Sequence, residues 1–384
     1  MGFDCFKVCY FCKMRDLIKY KRLNAVFVAA TLWVFTGGCA DSHESSTEKS
    51  PSTQKQPSIL SASLSDAEVQ RGELLEVSVP ALLSDTTGSW SWLLDGMPCE
   101  GKISMDPKSA RATLATDSLA MGLHRLRIGH RDTLNNERAA NLAFRVYAKS
   151  KPISISYEVI KVYPHETDAY TQGLLFRDDV LWESTGLKGK SSLRKVDLET
   201  GVPIQSVSLN PEYFAEGLTI FENQLIQLTW QNRLGLVYDI ETMELLRTFR
   251  YGMEGWGLTH DSTHLYLSDG SSMIYTLDPR SFQMTGNFEV CDHQGAVNQL
   301  NELEFRDGRI WANIYGADRI IAFNPLTGEV THELNLQNLF DRKQYGAYTD
   351  VLNGIAFLPE SGHMLVTGKL WPSLFELKWS EEAQ

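Results

Sequence analysis

One carboxylate stands out by the company it keeps. In the stretch EYFAEGLT, Glu216 lies between the aromatic pair Tyr213–Phe214 and a Gly-Leu, at what reads as the start of a buried strand. An ionised carboxylate is costly to bury without a compensating partner. Either a structural partner or a chemical task must account for it. Four other stretches share its form. TQGLLF, GWGLTHD, LNELEF and LNGIAF put Gln172, Trp256, Asn301 and Asn353 where AEGLTIF puts Glu216, at successive spacings of 44, 40, 45 and 52 residues. A purely structural repeat would place similar residues at that position. Here it holds amide, acid, indole, amide and amide, the pattern of a site assembled one residue per repeat. The ends of the following strand-like runs add Glu183, Trp230, Asp269, Tyr315 and Lys369. Apolar walls with one acid, a few amides and one lysine are the make-up of a small-ligand site able to move a proton.

Taken singly, each residue has a plainer reading. Glu216 alone is a structural acid at a strand start, and Trp230 and Trp256 are core packing. Lys369 alone is a surface lysine, and Asp269 in SDGS is a turn residue. Glu183 and Glu302 read as hydrogen-bonded channel acids. His165, His260, His264 and His293 lack metal-ligand spacing or a nucleophile partner and read as loop or edge residues.

The elements that must position these residues also repeat. VDLETG, YDIETM, LDPRSF and FNPLTG put Asp197, Asp239, Asp278 and Asn324 at intervals of 42, 39 and 46 residues, each opening a turn. Repeats of about 40–50 residues built of strands and tight turns predict a β-propeller with one four-stranded sheet per blade. Residues 150–382 would hold five blades. The Gly-His and Trp-Asp signatures of WD40 repeats are missing. In a propeller the innermost strands line a central channel, so the leading residues should share one rim. Residues 59–149 read as a separate block of about seven short strands, a small immunoglobulin-like β-sandwich. It carries no catalytic constellation and reads as a spacer or contact module. The fold class expected is all-β throughout.

The 384 residues carry a net charge of −12, which argues against a nucleic-acid groove. Lys13, Arg15, Lys19, Lys21 and Arg22 precede the short apolar run Ala25–Phe35 and then TGGC, ending at Cys39. This is the form of an export signal. Small residues before a Cys resemble a bacterial lipoprotein cleavage site, with Thr36 where Leu is usual. Residues 1–39 are therefore the expected targeting segment, with lipid on Cys39 and an ordinary cleaved signal as the alternative. Met14 would itself open a conventional signal. Residues 40–58 are a polar tether. The expected location is the bacterial cell envelope, on the periplasmic or outer-membrane side. Of six Cys, only Cys99 and Cys291 lie beyond Cys39; no metal site or disulfide framework is supported.

The same residues carry a family likeness. YTQGL, ESTGLKGKSSLRKVDLETG, YFAEGLT, LTWQ, GWGLTHD, LSDGSS, LNELEF, WANIYGADRI, VLNGIAF and VTGKLWPSLFEL occur in order between Tyr157 and Lys378. This region resembles the plant-type and bacterial glutaminyl cyclases, five-bladed propellers that convert N-terminal glutamine to pyroglutamate and release ammonia. The resemblance implies Glu216 as the catalytic acid, with Gln172, Asn301 and Lys369 as polar pocket residues. It implies Phe214, Trp230 and Trp256 as aromatic walls. Tyr170, often Phe in the family, and Tyr315, often Trp, keep a ring and add a hydroxyl; Ala215 stands where Gly is common. The implied substrates are peptides or proteins with N-terminal Gln, and a monomer is expected. No cofactor is required, and no metal is expected in the reaction; the family also admits a structural Ca²⁺ in the channel.

The chemistry follows from the reaction. The substrate amine attacks its own side-chain carbonyl, and one carboxylate can take the amine proton and pass it to the departing ammonia. An aromatic cage would raise its pKa by desolvation. Gln172 and Asn301 could hydrogen-bond the amide or its oxyanion, and Lys369 could tune Glu216 or serve that oxyanion. Two other classes stay open: a non-enzymatic propeller that binds peptide or sugar, and a metal-dependent lactone or ester hydrolase. The second would need several converging carboxylates.

Overall fold

A computed structural model describes residues 58–381, apart from Thr86, Glu100, Gly101, Pro107 and 343–347. The expected targeting segment, Cys39 and all of the tether before residue 58 lie outside the described residues. Pro80–Leu83 forms a short 3₁₀ turn, and strands make up nearly all of the regular structure among the described residues.

Between Ser58 and Tyr147 ten strand segments form two sheets, one of six strands and one of four. The sequence suggested about seven; the surplus consists of two- and three-residue pieces such as Ser63–Leu64 that pair at sheet edges. The long hairpin Gly122–Arg131 and Glu137–Tyr147 pairs over ten residue pairs. Leu75, Leu114, Leu126 and Phe144, drawn from both sheets, are buried in one apolar cluster. Cys99 and Cys291 join that cluster as free thiols, so no bridge links them. Arg145 meets Glu289 at 2.8 Å and Arg71 meets Glu329 at 3.1 Å, tying this region to the remainder.

From Ile153 onward the chain forms antiparallel four-stranded meanders. One runs Thr171–Arg177, Val180–Thr185, Ser192–Val196, Pro203–Ser208; the next starts at Ala215–Phe221 and the third at Leu258–His260. The meanders led by Leu300–Arg306 and Leu352–Phe357 are merged in one eight-stranded sheet. They join where Ile153–Pro164 pairs antiparallel with Ser373–Glu381 and parallel with Val330–Asn335. The leading strands are buried over nearly their whole length, as in AEGLTIF, whereas the last strands, such as Leu245–Arg250, are largely exposed. Continuous apolar runs therefore mark the inside and polar ones the rim. Asp197, Asp239, Asp278 and Asn324 each accept a backbone N–H two or three residues on, at 2.7–2.9 Å, which closes the turns that the sequence repeats.

Consecutive leading strands touch one another, and the one at Leu352–Phe357 touches the one at Thr171–Arg177, so they close in a circle. The glycine after each leading residue is the reason they can approach. A Cβ on Gly217 would lie 2.5 Å from the Leu258 nitrogen, and one on Gly257 only 2.0 Å from the Asn301 carbonyl oxygen. At this position the stretch LNELEF has Glu302 instead. Its side chain accepts the backbone N–H of Leu174 at 3.3 Å and of Ile355 at 2.9 Å, reaching two other leading strands.

Candidate functional site

The ladders slip at the residues that the repeat singled out. The pairing register shifts between Thr171 and Gly173, Ala215 and Leu218, Leu300 and Leu303, and Leu352 and Ile355. Gln172, Glu216, Asn301 and Asn353 therefore lie in bulges, the local device that re-aims a side chain out of the sheet pattern. Hydrogen bonds fix these bulges. Ser184 Oγ donates to the Glu216 carbonyl at 2.5 Å and Gln227 Nε2 donates to Ser184 Oγ at 2.8 Å. Gly217 N donates to the Trp256 carbonyl at 2.6 Å. Ser268 Oγ donates to the Asn301 carbonyl at 2.6 Å and accepts from Gly257 N at 2.7 Å. Ser184 and Ser268 each lie twelve residues after a leading residue, Gln172 and Trp256, a regularity that the sequence reading missed.

Aromatic rings stand around this rim. Phe214 meets Tyr170 edge-on at 6.0 Å and Trp230 at 5.6 Å, and Trp256 meets Tyr315 at 5.6 Å. Lys369 links the two groups, its Nζ 5.0 Å from the Tyr170 ring centre and 5.3 Å from that of Tyr315. Trp230 is oriented by its Nε1, which donates to Glu254 at 2.7 Å. Trp256 is pinned by Gly270, at φ +82°, where a Cβ would sit 2.6 Å from the indole. Tyr315 is 41% exposed at the margin.

The polar groups inside are unequally satisfied. Asn353 Nδ2 donates to the Thr171 carbonyl and to Gln172 Oε1. Trp256 Nε1, Asn301 Oδ1 and Asn353 Oδ1 are buried without a partner, unusual for native polar atoms. Glu216 is 4% exposed. Among the described residues no side chain or backbone group hydrogen-bonds its carboxylate. Burial pushes that carboxyl well above the usual range; the charge of Lys369 pulls it back and that of Glu254 adds to the rise. Lys369, 3% exposed, is lowered by burial to about 8, against the opposing charges of Glu216 and Asp350. An acid held above its usual range and an ammonium held below its own, both out of water, can accept and return a proton.

Two members of the second set sit elsewhere. Glu183 accepts from Thr171 Oγ1 at 2.7 Å and pairs at 2.9 Å with His165, which is buried and not a loop bystander. Burial disfavours both charges, yet the pairing outweighs it, holding His165 above and Glu183 below their usual ranges. His165 lies in a loop, as the sequence suggested, but its burial and its pairing with Glu183, 18 residues on, were not foreseen. Asp269 closes a turn through Ser271 and accepts from Tyr275.

At the other ends of the leading strands a cavity of about 380 Å³ is lined by Thr219, Thr259, His260 and Glu304, without Glu216. Burial pushes Glu304 up to about 8. Phe176, Phe305 and Arg177 also line it; among the described residues no lysine does. Among the described residues no group of three or more His, Cys, Asp or Glu is gathered as a metal would need. Both oxygens of Glu302 are engaged by backbone N–H groups.

Comparison with known proteins gives a consistent result. A family model described as glutamine cyclotransferase matches residues 133–379. The glutaminyl-peptide cyclotransferase of Arabidopsis thaliana is 40% identical over 225 residues, which cover 58% of this chain and 70% of that protein. The crystal structure of Myxococcus xanthus glutaminyl cyclase is matched over its whole length and 61% of this chain, at 36% identity and a TM-score of 0.57.

Proposed function

Because the chain belongs to the glutamine cyclotransferase family, we infer that it cyclises the N-terminal glutamine of peptides or proteins to pyroglutamate and releases ammonia. It is an enzyme, a glutaminyl-peptide cyclotransferase by activity. The observation that carries the chemical reading is Glu216, a carboxylate buried among rings, without a hydrogen-bond partner among the described residues and facing the charge of Lys369.

The proposed step balances as follows. The substrate α-amine nitrogen bonds to the side-chain carbonyl carbon while Glu216 takes a proton from that nitrogen. The carbon–nitrogen bond of the amide then breaks, Glu216 returns the proton, and ammonia leaves with the lactam closed. The unpartnered Trp256 Nε1 supports a role in donating to the carbonyl oxygen as it gains charge. The unpartnered Asn301 Oδ1 is suited to the amine or the amide N–H, and Gln172 to the amide. Lys369 would balance the charge on the oxyanion or on Glu216. Tyr170, Phe214, Trp230 and Tyr315 would wall the pocket. The reading uses no metal in the step.

Around this site we propose a five-bladed propeller, with residues 59–149 as an immunoglobulin-like module and a lipid on Cys39 that tethers a monomer to the cell envelope. The closed circle of leading strands supports the first of these. The activity is tested by mass spectrometry on a panel of Gln-initiated peptides, with and without chelator. Loss of one ammonia per peptide in both conditions is expected. No loss in either would overturn the reading in favour of a binding module, and loss only without chelator would favour metal-dependent chemistry.

A further inference from the structure

Asp350 lies outside the repeat signatures, yet the structure fixes it beside the pocket lysine. Its Oδ2 accepts the Tyr170 hydroxyl at 2.9 Å and its Oδ1 accepts the Val351 N–H at 2.8 Å. Asp350 N donates to the Lys369 carbonyl and Lys369 N donates to the Val351 carbonyl, both at 2.9 Å, so the two residues are backbone neighbours across a pair of strands. Trp371 Nε1 donates to the Asp350 carbonyl at 2.8 Å, clamping the same turn. The carboxylate is thus held by two hydrogen bonds, and the backbone beside it by others, at a site where the Tyr170 ring already faces the Lys369 ammonium. Without the hydroxyl that distinguishes Tyr170 from Phe, nothing among the described side chains would hold Asp350 Oδ2.

We propose that Asp350 is a positioning residue for the cyclisation: gripped by Tyr170, it is the constant counter-charge that keeps the Lys369 ammonium protonated and seated between the Tyr170 and Tyr315 rings. This rests on the reading that Lys369 takes part in the reaction. Among the described residues, the charged and titratable groups facing Lys369 are Glu216, Asp350, Tyr170 and Tyr315; Glu254 acts on Glu216 instead. Burial and the nearby carboxylate push both tyrosines up, so they stay neutral while the lysine titrates. Glu216 cannot be the constant partner, because in the proposed step it gains and loses a proton in every turnover. Asp350 does not exchange protons with substrate. Burial alone works against the ammonium, and the carboxylates oppose that loss.

The direct test reads Lys369 itself. In enzyme labelled with carbon-13 lysine, its resonance is assigned by its absence in Lys369→Arg and followed against pH without substrate. Asp350→Asn should lower the Lys369 midpoint by about one pH unit or more, as expected for loss of a close opposite charge. Tyr170→Phe should move it the same way by less, and Asp350→Glu should recover part of the shift. The alkaline limb of kcat/KM for a Gln-peptide should move to lower pH in step. An unmoved lysine midpoint in folded Asp350→Asn overturns the proposal; should that variant fail to fold, an unmoved midpoint in Tyr170→Phe does so. A lowered midpoint with an unmoved kcat/KM profile overturns instead the part given to Lys369 in the reaction.

Discussion

Glu216→Gln separates a working acid from a structural one. The substitution exchanges one oxygen for an NH₂ of similar size. The backbone carbonyl of residue 216 still accepts from Ser184 Oγ, and no side-chain hydrogen bond is broken, since none of the described residues makes one to this carboxylate. Removing a general acid–base typically costs about 10²–10⁴-fold in rate. At 1.36 kcal/mol per factor of ten, that is about 2.7–5.5 kcal/mol of transition-state stabilisation. A paired buried acid behaves otherwise: breaking the pair costs about 3–5 kcal/mol of folding stability. The sign of the pH dependence is also set. The folded-state pKa of Glu216 lies above its unfolded value, so the folded form binds more protons, and wild-type stability falls as pH rises through that interval. The Gln variant lacks this term, and its stability relative to wild type should therefore rise with pH. Lys369, deprived of its partner, reduces the gain without reversing it, because burial is the larger influence on Glu216. Ammonia release from a Gln-peptide and urea unfolding between pH 5 and 8 measure both quantities. Near-wild-type turnover, or a stability loss of several kcal/mol, would refute the reasoning.

Two further outcomes follow from the geometry. Glu302→Ala strips the partner from Leu174 N and Ile355 N, at about 1–3 kcal/mol per orphaned buried group, so the urea midpoint should drop markedly; an unchanged midpoint would show that the channel acid is dispensable. Gly270→Ala forces a Cβ against the Trp256 indole at a backbone angle that L-residues avoid. Displacement of that ring should lower kcat/KM by roughly 10²-fold, and wild-type kinetics in a folded variant would remove Trp256 from the pocket wall.

The parts of the site that repeat were legible in the sequence, and the parts that do not were hidden. Gln172, Glu216, Asn301 and Asn353 announce themselves because a residue of varying type is followed, in all of these repeats but that of Asn301, by Gly and then Leu or Ile. The bulges they occupy left only an indirect trace, the glycine after them that admits the next strand's backbone. Ser184 and Ser268 support that rim from second strands, each twelve residues after a leading residue, but the other repeats do not keep a serine there. Asp350 is fixed by Tyr170, 180 residues away in the chain, and only the added hydroxyl hinted at a partner. The same holds for Arg145 and Glu289, which join two regions through a single contact that no local pattern encodes. Cys291 is a small apolar residue in the core of the N-terminal sheets, a long-range packing contact that its own neighbours in the chain do not signal.

The strand pairing that joins Ile153–Pro164 to Ser373–Glu381 has a consequence in time. Ser156 and Ser380 share a hydrogen bond at 3.0 Å across 224 residues of chain. Synthesis proceeds from the N-terminus, so the strand at Ile153–Pro164 emerges long before either neighbour in the eight-stranded sheet. Until Ser373–Glu381 is made, one edge of that early strand must wait unpaired, and contacts so distant in sequence form slowly. A chain without Ser373–Glu381 would hold nearly all of its pocket residues but an open seam able to pair with another chain. That strand thus decides whether the protein closes on itself or on its neighbour.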